Sequence, residues 1–271
     1  MFQAPFARES TPGRRPDWLT VATLLGGVLL LYYAVPLAAL LLARSPADLL
    51  ARLASPAVVA AATNSLVSAI VTTLLAAVLG IPLAYWLART DSRWSAPVTG
   101  LVVLPLVLPP TVGGLVLLSV VGPNTAAGEA AAGLGLPLTR SLAGVVLAQT
   151  FVASPFVVVT ALAAFGGVDA RLEQASRSLG TSRLVTVRRV TLPLAWPGIL
   201  AGAILAFARA LGEFGATLML AYYPRTMPVQ IWDAFLAGGV ENAYPVAVIL
   251  LALAAVVLAV LGTLGTTPWR P

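Results

Sequence analysis

The sequence contains no cysteine, no histidine and no lysine, and only 10% of its residues are charged. Without cysteine or histidine there is no disulfide, no thiolate or imidazole metal site, no c-type haem attachment and no Ser-His or Cys-His nucleophile pair. Most membrane-embedded hydrolase chemistry goes with them. Without lysine there is no G-x-x-x-x-G-K-S/T phosphate loop, so this chain has no nucleotide site of that kind. The missing cysteine says nothing about compartment, and arginine at all sixteen basic positions points to no function by itself.

What is present is apolar. Of 271 residues, 59% are hydrophobic, and the mean hydropathy is +0.94. Such a composition does not build a soluble surface, and it identifies an integral membrane protein. A bilayer core needs about 20 apolar residues in a helix. Six stretches meet that length, running from Trp18 to Ala43, Ala57 to Ala88, Pro97 to Val121, Ser141 to Phe165, Pro193 to Ala221 and Tyr244 to Leu264. The first is longer than the apolar run of a secretory signal, so it is expected to be retained.

The arginines orient these spans. With the N-terminus inside, inner segments hold eleven of them (Arg8, Arg14, Arg15, Arg89, Arg93, Arg171, Arg177, Arg183, Arg188, Arg189 and Arg270). Outer segments hold four, Arg44, Arg52, Arg140 and Arg225, and Arg209 sits within a span. This positive-inside bias places both termini in the cytoplasm. The expected organisation is an all-α polytopic transmembrane bundle: a cytoplasmic segment 1–17, one membrane domain over 18–264 with a cytoplasmic loop at 167–192, and a cytoplasmic tail 265–271. Residues 124–139 read as an outer connection, and 222–243 as a longer, partly ordered one.

The loop carries EQASRSLGTSRLVTVRRVTLP, residues 173–193. Asp169 can cap a short helix, on which Leu172, Ala175 or Ser176, and Leu179 share a modestly apolar face. Gly180 ends it, since glycine tolerates a left-handed C-terminal cap. Thr181 or Ser182 can cap a second helix, with Leu184 and Val187 on one face and Arg183, Arg188 and Arg189 presenting charge. The pattern predicts a helix, glycine turn, helix hairpin. Two readings are open: a docking element for a soluble partner, or a surface pair whose arginines meet anionic lipid headgroups.

Two spans carry unusual stretches. LPLVLPPTVGG, residues 104–114, places Pro105, Pro109, Pro110, Thr111, Gly113 and Gly114 in one of them. Freed backbone groups persist in a membrane where they are buried in protein or line a cavity, so this stretch either lines a pathway or is a packing kink. RALGEFGAT, residues 209–217, places Arg209 and Glu213 at i, i+4 spacing, where they can neutralise each other on one helix face. Gly212, Gly215 and Ala216 allow close approach by a neighbouring helix, and Thr217 follows. The pair is either a structural ion pair or part of a gate.

The loop resembles the EAA loop of ABC importer permeases: an acidic residue, small residues, a glycine seven positions on, then an aliphatic, a spacer, Leu and Pro. Here these are Glu173, Gln174, Ala175, Gly180, Val190, Leu192 and Pro193, with Gln174 standing where the family usually has alanine. Together with AQTFVASPF at 148–156, LPLVLPPTVGG and RALGEFGAT are similar to the molybdate permeases of the type I ABC importers, near relatives of sulfate and tungstate permeases. After GEFGAT, this chain continues LMLAYYPRTMPVQIW instead of the Ala-Gly-Asn turn of many relatives, which leaves the oxyanion open.

The resemblance implies a cytoplasmic coupling loop, including Arg183, docked in a separate ABC ATPase present in two copies. It also implies a homodimer of this chain in a prokaryotic inner membrane and an extracytoplasmic molybdate-binding protein. ATP and Mg would be held by the ATPase, with no cofactor, metal or nucleic acid on this chain. Pro109, Pro110, Thr111, Arg209, Gly212, Glu213, Gly215 and Thr217 are the expected pathway or gate residues. Sulfate or tungstate permeases are alternatives, and a stand-alone secondary carrier or membrane-embedded enzyme is the alternative from another class.

Overall fold

A computed structural model describes residues 17–42, 47, 49 and 53–264. The expected segment 1–17, apart from Asp17, and the tail 265–271 lie outside the described residues. All regular elements among the described residues are helical. The chain divides into two compact units, meeting at Ser45 and Pro46.

The first unit is described by α1, Asp17–Leu42. This helix is apolar on every side and none of its 18-residue apolar window is buried within the unit, the pattern of a helix whose solvent is lipid. At 26 residues it is about 39 Å long, enough to cross a bilayer.

The second unit contains α2 (Pro56–Arg89), α3 (Ser95–Val107), α4 (Pro110–Val121), α5 (Ala126–Gly133), α6 (Leu142–Gly166), α7 (Ala170–Ser178), α8 (Arg183–Thr186), a π turn (Val187–Thr191), α9 (Leu192–Leu211), α10 (Gly215–Leu220) and α11 (Met227–Leu264). Among the described residues, five helices are long and apolar enough to cross a membrane, and α3 with α4 makes a sixth if that bent pair is one span.

The core is α6, against which α2 and α9 pack. Lipid is as apolar as leucine, so small residues that let backbones approach do the work of packing. Ala69, Ala76 and Ala84 of α2 and Ala148, Ala153 and Ala161 of α6 are buried. Gly198 and Gly202 of α9 form a G-x-x-x-G pair against α6: a Cβ on Gly198 would stand 2.6 Å from that of Ala164, and one on Gly202 would overlap the Thr160 hydroxyl.

Buried polar groups stitch the same helices together. Gln149 of α6 donates to the Ala210 carbonyl at 3.0 Å and accepts from Thr72 of α2 at 3.1 Å. It thereby adds a side-chain donor to a carbonyl at the end of α9 that also accepts from the Glu213 amide at 3.1 Å. Asn64 donates to the Arg225 carbonyl at 2.9 Å, and the Met227 amide donates to Ser65 at 2.8 Å, fixing the start of α11 onto α2.

Helix ends depart from the expected stretches in five places. The stretch 97–121 is two helices bent by 117°, because Pro109 and Pro110 remove two donors and hold Leu108 extended at ψ 135°. The stretch 193–221 is likewise two helices, since α9 ends at Leu211 and α10 begins at Gly215. The expected connection 222–243 is largely helical: α11 starts at Met227 and is interrupted at Gly238 and Gly239, the latter at φ 68°. Pro193 does not start a separate span. Helix runs on from Arg183 to Leu211, because the wider π turn relieves the clash a proline makes with the preceding turn. The outer connection 124–139 contains the short helix α5.

Candidate functional site

The loop after α6 folds as a hairpin from local signals. The Asp169 side chain accepts from the Arg171 amide at 2.8 Å and starts α7. Gly180 follows Leu179 at φ +81°, a conformation only glycine adopts without strain. Ser182, not Thr181, then caps α8, accepting from Val185 at 3.4 Å. Thr181 does other work: its hydroxyl, with those of Ser176 and Thr186, closes a triangle with sides of 2.8, 3.0 and 3.2 Å that ties the two arms together.

The leucines of the hairpin are exposed, while Val185 and Val187 are half-buried. Leu179 is 85% exposed and Leu184 78% exposed. Gln174 and Ala175 are exposed on the first arm and Arg183 on the second, while Val190 is half-buried. Leu192 and Pro193 lie at the start of α9, so the second arm is continuous with a span.

Glu173 is placed differently from its neighbours. Its Oε1 accepts from Arg89 Nε at 3.0 Å and from the Thr191 hydroxyl at 2.9 Å, and Arg89 also donates to the Val168 carbonyl at 3.0 Å. Burial raises the carboxyl pKa, but hydrogen bonds from Arg89, Thr191 and Tyr85 and the Arg89 charge outweigh it, and the net shift is downward. Glu173 therefore braces the hairpin against the last residue of α2. Sequence reasoning placed Glu173 in the loop but missed Arg89 and Thr191. The available signal was an arginine ending one span with an acidic residue opposite it in the next inner loop.

The second cluster joins the two broken spans. Arg209 lies in the last turn of α9, but Glu213 lies beyond the helix end, so the pair spans the break instead of sharing a helix face. The carboxylate is 1% exposed and stands 2.6 Å from the guanidinium, which is 28% exposed. This is a charge contact without hydrogen-bond alignment. The other carboxylate oxygen accepts from the Ala216 amide at 2.7 Å, at the start of α10.

Short helix α10 is packed against α4, so the two breaks meet. A Cβ on Gly215 would stand 3.0 Å from Pro110 Cβ and 3.0 Å from the Thr111 amide nitrogen. One on Gly114 would stand 2.7 Å from the Ala216 carbonyl. Thr217 is buried in this contact, and Pro109 caps α4 from its exposed end. Gly212 is not part of it; this residue ends α9 and faces a groove towards Leu250 and Leu251 of α11. Gln149 and Thr72, which hold the end of α9, were missed as site-supporting residues although Gln149 lies in a quoted motif.

Comparison with known proteins gives a consistent result. Residues 80–266 match the family of binding-protein-dependent transport system inner membrane components. A probable molybdenum ABC transporter permease protein of Haloferax volcanii is 57% identical over 257 residues, covering 93% of each chain. The molybdate/tungstate transport system permease protein of Thermococcus kodakarensis is 38% identical over 242 residues, 89% of this chain and 93% of that one. In fold, the chain is similar to a bacterial alginate ABC transporter solved with its pentasaccharide-bound periplasmic protein, at a TM-score of 0.74 and 18% identity over 92% of this chain and 94% of that one. With a family match over most of its length and its apolar helices, this chain belongs to the binding-protein-dependent transport system inner membrane components and is a multi-pass membrane protein.

Proposed function

We propose that this chain is the permease subunit of an ATP-driven importer whose cargo is molybdate. The observation that carries the reading is the hairpin: Leu179 and Leu184 are bare at its surface, while Glu173 and a continuous helix connect it to the bundle. An apolar projection rigidly joined to a span suits an element that sits in a cleft of a soluble partner and passes its movement to the membrane. The names of the Haloferax and Thermococcus relatives support the cargo.

On this reading the hairpin and both termini are cytoplasmic, as the arginine distribution favours. Two copies of a separate ATPase hold ATP and Mg, and two copies of this chain form the pathway. An extracytoplasmic binding protein delivers the anion and supplies most of the selectivity. ATP binding draws the hairpins together and turns the pathway outward, and hydrolysis resets it. The joined breaks, with Pro109, Pro110, Thr111, Arg209, Glu213, Gly215 and Thr217, form the gate, and Gly212 ends the helix that leads into it. This chain performs no catalysis.

Tungstate is the second reading, favoured by the double cargo in the Thermococcus relative's name. The test is uptake of labelled molybdate by cells deleted for this chain and by cells complemented with it, each with excess tungstate or sulfate. Restored uptake that tungstate blocks and sulfate does not is the expected result. Uptake unaffected by the deletion, in cells lacking a second molybdate system, would remove the cargo. Inhibition by sulfate alone would reassign it.

A further inference from the structure

A cavity of about 370 Å³ opens between the end of α2 and the hairpin, and its charges do not balance. Arg89, Arg177 and Arg183 line it, against a single carboxylate, that of Glu173. That carboxylate is engaged by Arg89. Arg177 and Arg183 have no acidic partner among the described residues, leaving two uncompensated guanidinium groups at the cavity wall.

The wall on the α2 side is Tyr85 and Trp86, with Trp86 40% exposed. Tyrosine and tryptophan collect at the headgroup level of a bilayer because their rings are apolar with one polar atom. Further along α2, Val71, Leu75, Val78 and Leu79 are also exposed. Their helical spacing puts them on the same face as Trp86. An apolar stripe therefore runs along the span and ends at an aromatic residue beside two free arginines.

We propose that this cavity binds the phosphate of an anionic phospholipid, with Arg177 and Arg183 on the phosphate and the acyl chains along the α2 stripe. Guanidinium groups match phosphate oxygens in bidentate geometry, and basic pockets between helices at the membrane surface take lipid headgroups. Glu173 does not repel the phosphate, because Arg89 neutralises it. The lipid holds the outer side of the joint that Glu173 and Arg89 hold from within. Arg177 and Arg183 line the cavity shared with α2, whereas the docking surface of the hairpin is its projecting Leu179 and Leu184, so lipid and ATPase take different sides of it. The proposal rests on the membrane placement of the hairpin and not on the cargo, so it stands or falls apart from the uptake result.

The test uses the full chain, reconstituted in vesicles of equal phosphatidylglycerol and phosphatidylcholine, extracted in mild detergent and analysed by native mass spectrometry. The wild-type chain is expected to retain phosphatidylglycerol over phosphatidylcholine by roughly tenfold or more, the size of two arginine contacts. Arg177→Gln/Arg183→Gln should bring the ratio near one. The charge-matched Arg188→Gln/Arg189→Gln, which removes two exposed arginines that do not line the cavity, should keep it. Equal loss in both double variants, or a preference that survives in the first, overturns the site. Retention of inorganic phosphate with no phosphatidylglycerol preference overturns the lipid assignment in favour of a free-anion site.

Discussion

The Glu213 carboxylate faces Arg209 across the end of α9 and, through its other oxygen, accepts the amide of Ala216 at the start of α10. One side chain thus holds two helix ends, and removing either partner has a different cost. Arg209→Ala strands a buried charge, which costs about 3–5 kcal/mol. Glu213→Gln keeps an acceptor for Ala216 and leaves a partly exposed guanidinium that water can reach, for roughly 1–2 kcal/mol. Denaturant unfolding of the purified variants separates the two; equal losses would mean that the capping role of Glu213 is negligible.

Contact between the two broken spans depends on glycine at Gly114. An added methyl would press on the Ala216 carbonyl and Met219 Cβ, 2.7 and 2.8 Å away. Gly114→Ala is therefore expected to destabilise by about 1–3 kcal/mol and to lower molybdate uptake in cells that still insert the protein normally. Gly100→Ala is the control, since nothing lies within 4 Å of its added carbon. It should be neutral or stabilise α3 by up to about 1 kcal/mol. Parallel behaviour of the two would sink the close-approach argument.

Hydropathy alone marked where the long apolar helices lie, because a run of apolar residues long enough to cross a bilayer has few other uses. The hairpin was equally legible: Asp169, Gly180 and Ser182 act through bonds to residues two or three positions away. Where the spans break was less so. Pro109 and Pro110 signal a break, but its 117° angle follows from what α4 packs against. No proline marks the break after Leu211, which is held by Glu213 and by Gln149 from another helix. Arg89 and Glu173 lie 84 positions apart, and nothing local to either announces the other. Apolar α11 begins 17 residues before its expected start at Tyr244 (244 − 227), and its kink at Gly238 and Gly239 falls within the stretch expected to be a connection.

Gly180 is the hinge of the hairpin, and nothing stands within 4 Å of a Cβ placed there. Any cost of substitution is thus backbone conformation alone. Gly180→Ala should cost about 1–2 kcal/mol, and Gly180→Asn less, because asparagine visits the left-handed region more readily. Gly180→Pro cannot reach φ +81° at all. Uptake should fall in the order Gly, Asn, Ala, Pro while membrane insertion stays constant. A different order would show that the turn does not set hairpin geometry for transport.

The lowered pKa of Glu173 fixes the direction of a pH effect. Burial opposes ionisation, yet Arg89, Thr191 and Tyr85 favour the carboxylate more, so the folded value lies below the ordinary 4.5. A folded state that binds its proton more weakly than the unfolded chain gains stability above the ordinary carboxyl range and loses it as the pH falls through the folded value. The brace is accordingly complete from about pH 6 to pH 8, and acid removes it only below about pH 4.5. Glu173→Gln carries no charge to lose there. Its unfolding midpoint should start lower than that of the wild type at neutral pH and converge with it as the solution is acidified below the ordinary carboxyl range. Two midpoints that fall in parallel would mean that the carboxylate of Glu173, as distinct from its shape, contributes nothing to holding the hairpin on α2.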